Sequence, residues 1–223
     1  MTFNEGMRID TSTTRSSGGA GRGIAIGGGV GGLAILLLAL FLGVDPGPVV
    51  QQTMRPTTQA GPGFDLAQCK TGADANSKVQ CRVVATGNSL DGIWEQHLRG
   101  YRRPKVQLFS GGIQTGCGPA DSSVGPFYCP ADQTAYFDTD FFQVLKTEFG
   151  SSGGPLAEEY VVAHEFGLHV QNLTGDLSKA QRGAQGATGG GVRSELQADC
   201  YAGVWAHYAA ITKQPGTDVT YLK

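Results

Sequence analysis

The hydrophobic pattern divides the chain into a polar lead, an apolar run, a spacer and a mixed body. Residues 1–22 are polar and rich in Ser, Thr and Gly, which predicts a disordered tail. Gly23 to Val44 carries no charge and ends in Leu-Ala-Ile-Leu-Leu-Leu-Ala-Leu-Phe-Leu. That is about 22 residues, enough for a transmembrane helix. Residues 45–63 hold Pro46, Pro48, Pro56 and Pro62 among Gly and Gln, and read as an extended stalk. From Phe64 onward the periods of a folded domain begin. Asn88 to Asp91 offer caps for a helix with the stripe Ile93, Trp94, His97, Leu98 and Tyr101, ended by Pro104. Residues 105–109 and 134–138 alternate as strands, with a Gly/Pro-rich excursion between them. Pro155 suits a helix start; Leu156, Tyr160, Ala163, Gly167 and Val170 follow at helical spacing, and Gly175 can stop it. Residues 176–191 read as a long mobile loop, and 192–211 as a last helix with Leu196, Cys200, Gly203, Val204 and Tyr208 on its apolar side. The order predicts an α+β domain over 64–223.

Composition narrows the partners. Charged residues are 16% of the chain and the net charge is -2, so no basic field for nucleic acid exists. Arg8, Arg15 and Arg22 precede the apolar run, which by the positive-inside rule places the N-terminus in the cytoplasm and the domain outside. No Ala-x-Ala pattern follows the run, so it reads as a retained single-pass membrane anchor. The cysteines agree with an oxidising compartment. Cys69 lies near Cys81 and Cys117 near Cys129, and two local disulfides are the preferred pairing among three. Cys200, on the apolar side of the last helix, is expected to be a buried structural thiol.

The chemistry centres on Ala163-His164-Glu165-Phe166-Gly167-Leu168-His169. A zinc-peptidase helix reads His-Glu-x-x-His, with two imidazoles four apart and a general-base Glu beside the first. Here Leu168 holds the second imidazole's place and His169 comes one residue late. At about 100° per residue, positions i and i+5 lie roughly 140° apart on a regular helix, too far to grip one ion. A catalytic zinc takes three protein ligands and a water, so a third must come from a later element. Glu195 and Asp199, i and i+4 on the last helix, supply a ligand and an acceptor for the ligating ring's free N–H. His97 reads as a core residue. His207 lies twelve residues past Glu195, about 18 Å along the helix, and is too far to share its metal.

These segments resemble the bacterial membrane-anchored neutral zinc metallopeptidases. The likeness runs through residues 125–133 (GPFYCPADQ), 160–165 (YVVAHE), Gly167, 169–173 (HVQNL), 195–200 (ELQADC) and 202–206 (AGVWA). It implies a zincin-like fold with gluzincin-type ligands and hydrolysis of peptide bonds by zinc-activated water. His164 and Glu195 would then be ligands to one Zn2+, and Glu165 the general base. The family's motif has two His before Val-Gln, the first of them a ligand; this chain keeps only the second, His169. The family usually continues beyond Lys223, so the domain is expected to be short at its C-terminus. Three readings stay open: a pseudoenzyme without zinc, zinc held by His169 through a π-bulge eased by Gly167, or an isolated variant at Leu168 in an active lineage. The rival class is an inactive membrane protein that uses the peptidase shape to bind peptide, along 134–138 if that strand is the sheet edge.

Overall fold

The computed structural model describes residues 1–18, 63–143, 154–182 and 186–223. Strand β1 (Thr14–Gly18) precedes two helices, α1 (Gly72–Ser77) and α2 (Val79–His97). Five strands follow: β2 (Lys105–Ser110), β3 (Ile113–Thr115), β4 (Gly118–Ala120), β5 (Phe127–Cys129) and β6 (Thr134–Asp138). Helices α3 (Pro155–Thr174), α4 (Asp176–Gln181) and α5 (Gly190–Tyr208) complete the order. The main sheet runs β1-β2-β6-β5. Strands β1, β2 and β6 are parallel, and β5 returns antiparallel against β6. β3 and β4 form a separate hairpin. The α+β class holds.

Helix α2 begins nine residues before the expected caps. Asn88, Ser89 and Asp91 do not cap it, because each has a tertiary partner. The Asn88 amide exchanges hydrogen bonds with the backbone of Asp10 at 2.7 and 2.9 Å. Ser89 Oγ accepts from the Trp205 indole at 3.1 Å, and Asp91 accepts from the Tyr101 hydroxyl at 2.7 Å. Buried Val83, Val84 and Ala85 anchor the earlier turns. Helix α3 runs as read: Pro155 occupies its first turn, and Gly175 closes it at φ 79°. The expected loop 176–191 instead contains α4, and α5 starts at Gly190.

The expected disordered tail is corrected over residues 1–18. Phe3 and Met7 are fully buried in the main core, beside Leu222 and Ala75. Backbone bonds secure the segment: Asn4 N donates to Tyr221 O, Gly72 N to Met7 O, and Lys223 N to Thr2 O, at 2.9–3.0 Å. The Asn76 amide binds both backbone groups of Phe3. A polar composition concealed this, because two apolar anchors and paired backbone groups suffice to hold the segment.

Cys69 pairs with Cys81 and Cys117 with Cys129, as the local spacing favours. Cys200 is exposed, against expectation; α5 turns that face to solvent. Among the described residues no helix is long and apolar enough to cross a membrane. The expected span at 23–44 and the stalk at 45–62 lie outside the described residues.

Candidate metal centre

Helices α3 and α5 pack closely because Gly167 faces Ala198. A Cβ at Gly167 would stand 2.9 Å from the Ala198 carbonyl oxygen and 3.0 Å from its Cα. Gly167 is therefore a helix-crossing residue, and not the seat of a bulge. The Gln171 amide donates to Ser194 O at 2.7 Å and its oxygen accepts from the Ser194 hydroxyl, locking the pair one turn on.

This crossing sets Glu195 and Asp199 against His164. His164 Nε2 lies 2.9 Å from Glu195 Oε2, and Nδ1 lies 2.8 Å from Asp199 Oδ1. The Tyr160 hydroxyl, one turn before His164, also donates to Asp199 Oδ1. Burial acts to lower the His164 pKa. The hydrogen bonds to Asp199 and Glu195 and the charges of Glu165 and Glu195 outweigh it and raise the value to about 10. Burial would raise Asp199, yet its bonds to His164 and Tyr160 hold it below the usual carboxylate range. Glu165 is buried, and among the described residues its Oε2 has no hydrogen-bond partner. Burial lifts its pKa to about 7, against the His164 charge and a backbone hydrogen bond from Tyr128.

His169 lies elsewhere. Helix α3 is regular α-helix throughout, so the five-residue spacing turns His169 away from His164. It is 0% exposed. Its Nε2 is 2.6 Å from the Arg102 carbonyl and its Nδ1 2.9 Å from the Tyr128 hydroxyl. A carbonyl only accepts, so Nε2 carries the proton and Nδ1 accepts from Tyr128. The Tyr128 oxygen then accepts from the Asn172 amide at 2.9 Å. The expected bulge-borne ligand is thus a neutral structural strut joining α3 to β5. Leu168 occupies the place of the absent imidazole and is 7% exposed, within the core.

The donor set does not fit a zinc centre with three protein ligands. On its Nε2 side His164 meets Glu195, while Asp199 sits at the other ring nitrogen and Leu168 adds only hydrocarbon. Among the described residues no group of three or more His, Cys, Asp or Glu side chains is placed to hold a metal ion. Sequence reasoning brought His164, Glu165, Glu195 and Asp199 together. It missed Tyr160, although i−4 from His164 shares its face, and Tyr128, which only the β5 pairing brings near.

Comparison with known proteins shows that the chain belongs to the family described as "Putative neutral zinc metallopeptidase", matched over residues 4–218. It is 68% identical over 225 residues to "Uncharacterized protein Rv2575" of Mycobacterium tuberculosis (strain H37Rv), covering 100% of this chain and 77% of that protein. It is 39% identical over 210 residues to "Uncharacterized protein YpfJ" of Escherichia coli (strain K12), covering 86% of this chain and 69% of that protein. No solved structure matches. The family's name implies zinc.

Proposed function

We propose that the chain is a neutral zinc metallopeptidase-like protein of zincin-like, gluzincin-type design whose hydrolytic power is impaired. One observation carries this reading: buried Leu168 stands one helical turn from His164, where the second imidazole would be, while His169 is engaged at both nitrogens on another face. Glu165 keeps the protonation balance that suits a general base, since its pKa lies near 7. Two protein donors are too few to hold zinc as such a site requires. The two disulfides support an extracytoplasmic placement.

A peptide would add to β5, not to the Thr134–Asp138 strand. Strand β6 lies between β2 and β5 and is buried along its length, so β5 is the edge beside α3. This edge favours the second reading, a peptide-binding protein without catalysis.

The test is zinc content and peptidase activity of the full chain, beside Leu168→His and Glu165→Gln. Little zinc and no activity in the unmodified chain, with both gained in Leu168→His, is the expected result. Stoichiometric zinc in the unmodified chain, lost with Glu195→Gln, would sink the impaired reading. Peptide binding that persists in an inactive chain and survives Glu165→Gln selects the second reading.

A further inference from the structure

The N-terminal segment and the domain are one folded unit, which constrains how the apolar run can meet a membrane. Strand β1 pairs with β2 in parallel register from Thr14↔Val106 to Gly18↔Ser110. Gln107 Nε2 donates to Ser17 Oγ at 3.1 Å. Gly18, at the end of β1, and Gly63 are neighbours. A Cβ on Gly63 would lie 2.9 Å from the Ser16 carbonyl oxygen and 3.0 Å from Ser17 Cα. Ser16, Ser17, Gly18, Gly63 and Phe64 line one shared cavity.

The charge-free run 23–44 lies between these adjoining points. A chain that crosses a bilayer once leaves its flanks on opposite sides. Flanks that share a sheet ladder and a core cannot be so divided without unpairing β1 and drawing Phe3 and Met7 out of the interior. The positive-inside argument weakens as well. Arg8 donates its backbone N–H to Gln214 Oε1 at 2.9 Å, and Arg15 pairs opposite Gln107, so both belong to the domain surface.

We propose that residues 1–18 lie on the same side of the membrane as residues 63–223. A single crossing of the bilayer between Gly18 and Gly63 is incompatible with that placement. This inference does not depend on the peptidase reading.

The test uses the full-length chain in bacterial cells and a membrane-impermeant maleimide. Cys200 is free and exposed and reports the domain. In Cys200→Ser/Ser12→Cys, the thiol at exposed position 12 reports the N-terminal segment. Equal modification of both in intact cells is expected. Modification of one in intact cells, and of the other only after the membrane is opened, would overturn the proposal. Protection of both in intact cells upholds the shared side but sinks the extracytoplasmic placement. A second measurement covers a misfolded variant: Arg15→Cys/Gln107→Cys should form an intrachain disulfide, found by mass spectrometry of the joined peptides. Its absence after mild oxidation of native membranes would overturn the pairing and the proposal with it.

Discussion

His164 and His169 stand on one helix, five residues apart, in opposite environments. His164 meets two carboxylates at the α3–α5 crossing, and its pKa is raised to about 10. His169 is sealed between a carbonyl and a phenol, and burial first among the causes lowers its pKa. Residue type is the same and helix geometry is the same. What differs is the neighbouring element: α5 brings acid to one face, while β5 and the Arg102 loop bring neutral partners to the other. A metal-type motif read along the chain treats both imidazoles as donors. The fold assigns one to the candidate centre and one to the scaffold.

The comparison breaks most sharply at Leu168. A histidine there adds a third donor one turn from His164, and zinc affinity should rise by more than about 100-fold, beyond what a supporting partner alone is worth. Equilibrium dialysis against zinc measures it. An unchanged affinity would mean that the α3–α5 cleft cannot admit an ion whatever the donor count.

The reciprocal change sharpens the other side. His169→Ala strips partners from the Arg102 carbonyl and the Tyr128 hydroxyl and opens a cavity. The expected loss is about 3 kcal/mol of stability, from unmet buried polar groups and lost packing. Urea unfolding measures it. Zinc binding by Leu168→His should keep its affinity when His169→Ala is added, provided the double variant folds. A loss of affinity matching removal of a ligand would return His169 to the metal.

Much of this division was legible along the chain. The 100° advance per residue by itself separates the two rings, and the i,i+4 spacing of Glu195 and Asp199 places both on one face of α5. Residues 105–109 and 134–138 emerged as strands because their alternation is local. Which strand forms the edge was not legible, since β5 is three residues long and its place depends on pairing with β6. The N-terminal segment was missed for a related reason. Its order comes from contacts with residues 70–76, 88, 106–110 and 221–223, and its own composition resembles that of a disordered chain. Gly167 looked like a source of helix distortion; only the facing Ala198 reveals that the missing Cβ serves close packing.

That glycine carries the next prediction. Gly167→Ala adds a methyl 2.9 Å from the Ala198 carbonyl oxygen, where backbone and not a flexible side chain must yield. The helices should separate, costing about 2 kcal/mol by overpacking. The His164 contacts at 2.8 and 2.9 Å should lengthen while the His169 knot stays intact. Thermal unfolding reads the first effect and imidazole NMR the second. Equal perturbation of both rings would show that the two faces of α3 are not independent.

The smallest effect is in pH dependence. The lowered pKa of His169 means that the unfolded chain takes up this proton near the ordinary value of 6.5 while the folded chain still resists it. Below 6.5 the unfolded state therefore binds more protons, and the stability that His169 contributes falls as the pH drops through its folded value. Above 6.5 that contribution is fully present. The gap in unfolding free energy between the unmodified chain and His169→Ala should be widest near neutrality and narrow progressively in acid. Paired urea titrations between pH 5 and 8 measure the narrowing. A gap that widens in acid would mean that His169 is stabilised as a cation, which the Arg102 carbonyl and Tyr128 hydroxyl could support only if the phenol turned its lone pair toward Nδ1 and gave up donating to the ring.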